Sequence, residues 1–330
     1  MQINLLMLNF ANRTNWDLSE NPLSLTLKKL RGDGVPVFDL TESNPTRVGF
    51  DYPPEIFLKP FEDAKNLVYA PHSPGMLQAR EALSGYYADK GVVLSPDRFI
   101  LTASTSEGYS FLFRLLMDPG DKVLLPAPSY PLFSYLAGLN DVDVDHYRLR
   151  FQDGRWGINL ESIENALHPK TRAIILVSPN NPTGSCVDPK ELTALNALAK
   201  AHGLSLISDE VFADYLFDSA KSFLSLASND AAPTFVLGGV SKALALPQMK
   251  LSWIAVNGPK AFREDALARL EVIADTYLSV NTPAQNALPQ WFKALPVMQE
   301  QVLARVKGNY ELLKGRLAKK STGRLFPVEG

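Results

Sequence analysis

Five short apolar runs between residues 98 and 237 constrain the fold of this chain more than any other feature of its sequence. Arg98–Ala103 (RFILTA), Lys122–Leu125 (KVLL), Arg172–Val177 (RAIILV), Leu204–Ser208 (LSLIS) and Thr234–Leu237 (TFVL) are too brief for helices and rich in Val, Ile, Leu and Phe. Hydrophobicity that is continuous rather than alternating marks a strand covered on both faces, and such strands belong to parallel sheets. Helical stretches lie between them. Ser106–Met117 (SEGYSFLFRLLM) is apolar on most faces and stops at Asp118-Pro119-Gly120, while Pro189–His202 (PKELTALNALAKAH) is amphipathic and closed by Gly203. This alternation predicts an α/β fold: a mostly parallel sheet sandwiched by helices, with right-handed crossovers. Ligands of such sheets bind beyond the carboxyl ends of the strands.

Past Ala261 the pattern changes to long helix, Lys260–Leu278 and then Ala294–Lys319, broken by Asn281-Thr282-Pro283. We therefore expect a large domain over 41–262 and a smaller α/β domain built from 1–40 and 263–330. A chain of 330 residues with 46% hydrophobic side chains can bury cores for both. Its 33 Lys and Arg nearly balance 35 Asp and Glu, which argues against a nucleic-acid surface and fits an enzyme of small molecules. Cys186 is the sole cysteine, so neither an internal disulfide nor a CxxC site can form, and a reducing, cytoplasmic setting is expected. The start, MQINLLMLNF, lacks a basic leader and a small-residue cleavage site, so no signal peptide is expected. No apolar run reaches the roughly 20 residues a membrane span requires. The histidines at 72, 146, 168 and 202 are scattered without metal-ligand spacing, and neither G-x-G-x-x-G nor G-x-x-x-x-G-K-[ST] occurs.

Four polar clusters sit just past predicted strands, each open to two readings. Ser178–Gly184 (SPNNPTG) is rich in turn formers, yet it also places the Asn181 amide at a strand end, where it can donate to a ligand oxygen. In Asp209-Glu210, Glu210 reads as a cap for the following helix, whereas Asp209 can pair with a buried cation. Gly238–Lys242 (GGVSK) ends in a lysine between glycines and the apolar ALALPQM, where full hydration is not expected. Desolvation lowers a lysine pKa and frees the amine for Schiff-base chemistry. Thr102–Glu107 (TASTSE) is an ordinary N-cap sequence, but helix amides with three hydroxyls also make a phosphate cradle.

Taken in order, T-x-S-T-S, P-x-P-S-Y (Pro126–Tyr130), N-N-P-T-G, S-D-E and S-K resemble the class I/II aminotransferases, the aspartate-aminotransferase-like fold type I of pyridoxal 5′-phosphate (PLP) enzymes. The resemblance runs over nearly the whole chain. It implies that Lys242 carries PLP as a Schiff base, that Asp209 pairs with the pyridinium nitrogen, and that Asn181 faces the 3′-oxygen. Tyr130 would stack on the ring; Ser104, Thr105, Ser106, Ser241 and Lys250 would complete the cofactor site. Asn44, in the loop Glu42–Pro45, would face the substrate carboxylate together with Asn181. Tyr69, in VYAPHSPG, resembles the tyrosine that reaches the phosphate of a neighbouring subunit, which implies a homodimer, and Ser279–Gln285 resembles an interface segment. No metal, nucleic acid or membrane partner is implied.

The implied activity is transfer of an amino group between an α-amino acid and a 2-oxo acid. The alternatives are a lyase or decarboxylase of the same fold, and a PLP-binding protein without catalysis. Three departures from the family pattern matter. Phe212 stands where a tyrosine is usual, leaving Asn181 as the donor to the 3′-oxygen. Lys250 replaces the phosphate-binding arginine, and Gly239 replaces a hydroxyl residue, so weaker PLP binding is expected. The sequence GRLFPVEG at the end resembles the start of a small-domain sheet, and the arginine for the substrate α-carboxylate would come later; a truncated sequence is the expectation.

Overall fold

The computed structural model describes residues 10–39, 41–218, 222–278, 280–320 and 325–330. Eight strands form one sheet: β1 (Phe99–Thr102), β2 (Lys122–Ala127), β3 (Asp143–Gln152), β4 (Arg155–Ile158), β5 (Thr171–Val177), β6 (Ser205–Asp209), β7 (Thr234–Gly239) and β8 (Ser252–Asn257). Their order is β1-β8-β7-β6-β5-β2-β3-β4. Pairs β7–β6, β6–β5, β5–β2 and β2–β3 are parallel, whereas β8 runs antiparallel to both β7 and β1. Hence β1, β2, β5, β6 and β7 all end at one rim, and β8 begins there.

The early helices are α1 (Pro22–Gly32), α2 (Pro54–Phe57), α3 (Leu77–Ala88), α4 (Thr105–Leu116), α5 (Leu132–Leu139) and α6 (Leu160–Ala166). Those that follow are α7 (Pro189–His202), α8 (Val240–Ala243), α9 (Lys260–Tyr277), α10 (Thr282–Trp291) and α11 (Leu295–Lys320). Two cores explain why the strands read as unbroken apolar runs. Leu124, Leu176, Leu206, Val236 and Trp253 face one side of the sheet, with Leu83 of α3, Leu195 of α7 and Trp291 of α10. Their neighbours Val123, Ile175, Ile207, Phe235 and Ile254 face the other side, with Leu112 of α4 and Leu270 of α9. Each such side chain contributes roughly 1.5–3 kcal/mol through burial, so alternate positions cannot be polar on either face.

The five expected strands and the α4 and α7 helices are present within a residue or two of their predicted limits. The structure adds β3, β4 and β8, and it places a helix where a break was expected. Asn281 caps α10, its Oδ1 accepting the Ala284 amide at 2.9 Å, and Pro283 sits in the first turn, where its missing N–H is harmless. Of the segments assigned to a smaller domain, α9 packs on α4, β1 and β8, and α10 packs on α3. Arg13 pairs with Asp141 at 2.7 Å and Trp16 meets Tyr135 edge-on beside α5, while Gln301 and Arg305 of α11 hold the backbone at Asp51 and Val48. Residues 325–330 were expected to begin a sheet; instead they form no strand and lie on the rim. The Glu329 and Gly330 amides donate to Gly184 O at 2.8 and 3.1 Å, and the Phe217 amide donates to Glu329 O at 2.8 Å. A strand needs a partner edge, and these backbone groups are already engaged by loops.

Candidate active site

Strand register builds the site. Asp209, the last residue of β6, lies beside Val177 of β5 and Leu237 of β7. Ser178 opens the SPNNPTG loop from that row, its amide donating to Asp209 O at 3.0 Å. Two residues on, Gly239 of β7 pairs with Ser252 of β8, which pairs in turn with Thr102 at the end of β1. The clusters at 102–107, 178–184, 209–210 and 238–242 therefore converge on one rim.

Asp209 is buried, and its carboxylate accepts the Tyr109 hydroxyl at 3.0 Å and the Val211 amide at 3.2 Å. Burial pushes its pKa up to about 6, against the opposing pull of these two donors and of the Lys242 ammonium. No salt bridge to Asp209 occurs among the described residues, so the carboxylate stands ready for a cation. Tyr109, held inside α4 and 1% exposed, is a residue that the sequence did not single out; burial and the adjacent carboxylate raise its pKa well above the usual phenol value, so it stays a hydrogen-bond donor.

Lys242 lies on α8, with Nζ 5.7 Å from the centre of the Phe212 ring. We expected it to be sheltered from water; instead the residue is exposed. The reason is local: α8 is a single turn whose inner side is taken by Val240 and Ala243, leaving Lys242 on its outer side. Tyr215 braces that turn, its hydroxyl donating to Lys242 O at 2.5 Å. Ser241 beside it is half-buried.

Glu210 was expected to cap the helix that follows. It is instead a buried acid accepting from Ser208 Oγ, Ser225 Oγ and the Leu226 amide at 3.0, 2.6 and 2.7 Å. No helix follows directly, because residues 211–214 form a turn. The amide it holds opens the short 3₁₀ turn Leu226–Ser228, and burial pushes its pKa up to about 7.

At the start of α4, the N-cap reading holds. Ser104 is the N-cap, its Oγ accepting the Glu107 amide at 3.1 Å, and Ser104 O takes the Gly108 amide. The first-turn amides of Thr105 and Ser106 have no partner within the helix, at the positive end of its dipole. In the 178–184 loop the two asparagines divide the work. Asn180 is buried and accepts from Thr183 Oγ at 3.0 Å, whereas Asn181 is exposed at the rim. Tyr130 is 48% exposed and meets Phe133 edge-on, and beside it Ser129 Oγ is buried without a hydrogen-bond partner among the described residues. Lys250 is exposed and holds a left-handed backbone, φ +52°, two residues before β8.

Two expected residues are not joined to this cluster. Tyr69 is 81% exposed on the surface, and the Asn44 side chain caps its own turn, accepting from the Thr46 amide and hydroxyl at 3.0 and 2.7 Å. Ser279, which opens the proposed interface segment, falls outside the described residues. Among the described residues no group of three or more His, Cys, Asp or Glu could hold a metal ion, and no helix is long and apolar enough to cross a membrane.

Residues 38–327 match the family described as aminotransferase class I and II. The glutamate-pyruvate aminotransferase AlaA of Escherichia coli is 30% identical over 270 residues, covering 81% of this chain and 66% of the relative. The alanine aminotransferase of Mycobacterium bovis is 31% identical over 274 residues, covering 81% of this chain and 62% of the relative. This chain thus spans somewhat less than two thirds of these curated relatives. The solved structure of an alanine aminotransferase from Pyrococcus furiosus superimposes with a TM-score of 0.80 at 26% identity, covering 90% of this chain and 75% of that one.

Proposed function

The chain belongs to the class I and II aminotransferases, a family dependent on pyridoxal 5′-phosphate, and from that premise we propose that it moves an amino group between an α-amino acid and a 2-oxo acid. The observation that carries the reading is Asp209: a buried carboxylate without a salt-bridge partner among the described residues, at the same rim as Lys242. A pyridinium nitrogen would supply the missing counter-charge. The remaining donors fit the same group. The first-turn amides of α4 and the Lys250 ammonium suit a phosphate, Asn181 suits a phenolic oxygen, and Tyr130 offers a flat face to a ring.

When bound, PLP supplies an electron sink for the charge left at the substrate Cα. Lys242 would attach the cofactor through Nζ and, once displaced by a substrate amine, carry the proton to and from Cα on that same nitrogen. Asp209 would hold the ring nitrogen protonated, with Tyr109 and the Val211 amide fixing the carboxylate in place. Asn44 and Asn181 are the groups we assign to the substrate carboxylate.

A second copy of this chain is the partner we assign. Leu67, Val68 and Tyr69 are 89%, 60% and 81% exposed, an apolar run suited to burial in a homodimer. We assign a cytoplasmic setting, in keeping with the bacterial aminotransferases to which the chain is similar.

The test is an absorption spectrum of the purified protein with PLP, beside Lys242→Ala. We expect a Schiff-base band in the wild type, absent from the variant, and altered by alanine or glutamate, the amino donors suggested by the relatives' names. Absence of any band would refute cofactor attachment. A band that no amino acid alters would make the chain a binding protein, and release of a cleaved or decarboxylated product would make it a lyase.

A further inference from the structure

We propose that Ser252, on β8, supplies the hydroxyl that binds the cofactor phosphate, in place of the hydroxyl residue missing at Gly239; the proposal rests on the PLP reading above. Gly239 and Ser252 are direct cross-strand partners, and a Cβ built on Gly239 would stand 2.4 Å from Ser252 Oγ. The Ser252 hydroxyl thus fills the space that a side chain at position 239 would occupy. Gly239 has φ −175°, an extended backbone open to any residue, so the glycine answers to this close approach and not to a turn.

Register extends the argument to the anion. Ser252 also pairs with Thr102, from which the chain runs through Ala103 to the N-cap Ser104 and the first turn of α4. Directly paired residues of an antiparallel ladder send their side chains to the same face. Thr102 faces α4, since its Oγ1 lies 3.7 Å from a Cβ built on Gly108 and donates to Ser104 O at 3.0 Å. Ser252 therefore presents its hydroxyl on the face of the sheet that α4 covers. It is 2% exposed, yet its hydroxyl makes no hydrogen bond among the described residues. A hydroxyl with no protein acceptor is available as a donor to a ligand.

On this proposal three donor types would meet the phosphate: the amides of Thr105 and Ser106, the Lys250 ammonium from two residues before Ser252, and the Ser252 hydroxyl. The substitution at 239 loses no donor; the donor has moved across one strand pair. Position 252 tolerates a side chain because its partner has none, and position 239 has none because 252 carries one.

The experiment measures dissociation constants of PLP, pyridoxal and inorganic phosphate for the cofactor-free protein, by equilibrium dialysis. Ser252→Ala should weaken PLP and phosphate about tenfold, the loss expected for one hydrogen bond to a charged group, and leave pyridoxal unchanged. The exchange Gly239→Ser with Ser252→Gly should bring PLP affinity back to within about threefold of the wild type, since it returns the hydroxyl to the other strand without a clash. Gly239→Ser alone should bind poorly and melt early, because its Cβ meets Ser252 Oγ. Equal PLP affinity in wild type and Ser252→Ala would overturn the proposal. If Lys250→Ala still weakens PLP in that case, the PLP reading survives. A wild type that binds no PLP would overturn both.

Discussion

Replacing Asp209 by Asn should stabilise the cofactor-free protein at neutral pH while weakening its hold on PLP. Burial lifts the Asp209 carboxyl to about 6 from an ordinary 3.8. That gap, a little over two pH units, corresponds to roughly 3 kcal/mol between the protonated and ionised forms. The sign follows from the raised value in the folded state. Below about pH 4 the carboxyl is protonated whether folded or not, and ionisation costs the fold nothing. Between about 4 and 6 the unfolded chain releases its proton first, so stability is lost as pH rises, and the full loss is present above 6. Asn cannot ionise; its carbonyl can accept the Val211 amide that Oδ1 now takes, and its NH2, standing in the place of Oδ2, can donate to the Tyr109 hydroxyl oxygen. Urea unfolding of both proteins across pH 4 to 8 should show equal stability at the acid end and an advantage of about 2–3 kcal/mol for the variant at pH 8. Glu210, raised to about 7, titrates through an overlapping window, but it is present in both proteins and cancels in the difference. A variant less stable than the wild type at pH 8, or a difference independent of pH, would refute the reasoning. PLP titration of the same pair should show weaker binding by the variant, because the pyridinium loses its counter-charge.

Two further outcomes can be checked directly. Phe212→Tyr places a phenol on the ring that stands 5.7 Å from Lys242 Nζ, and it should lower the pH at which the Schiff-base absorbance changes; a spectral titration with no displacement would separate this ring from the cofactor oxygen. Gly238→Ala drives a Cβ to 2.6 Å from the buried Trp253 indole, whose Nε1 already donates to Tyr87 at 3.1 Å, and should destabilise the fold by about 1–3 kcal/mol in a thermal melt. An unchanged melting curve would mean that the indole can swing aside.

Much of the site was legible because its parts are local. A strand buried on both faces must be continuously apolar, so β1, β2, β5, β6 and β7 announce themselves, and whatever polar cluster follows each one lies on the rim. Asp209, Asn181 and the 102–107 run do lie at that rim. The strand β3 was not legible: in DVDHYRLRFQ exposed and half-buried residues interleave, and its outer neighbour β4 is too short to carry a pattern. The exposure of Lys242 escaped for a related reason. Apolar neighbours in sequence suggested shelter, but a one-turn helix buries Val240 and Ala243 and sends the lysine the other way.

Tyr109 and Ser252 mark the limit of what the sequence can reveal. In SEGYSFLFRLLM a tyrosine reads as one more core aromatic, and only the packing of α4 on the sheet at β7 and β8 turns its hydroxyl onto Asp209. Gly239 reads as a lost hydroxyl, and only the antiparallel pairing of β7 with β8 sets Ser252 into the space it leaves. The sequence alone determined the parallel α/β sheet, the rim and the lysine and aspartate upon it, because strand burial and turn chemistry act over a few neighbouring residues. Which hydroxyls meet the aspartate and the bare face of Gly239 was decided by the tertiary structure, because those contacts join residues 100 or 13 positions apart, Tyr109 to Asp209 and Gly239 to Ser252, through strand register and helix packing that no local pattern encodes.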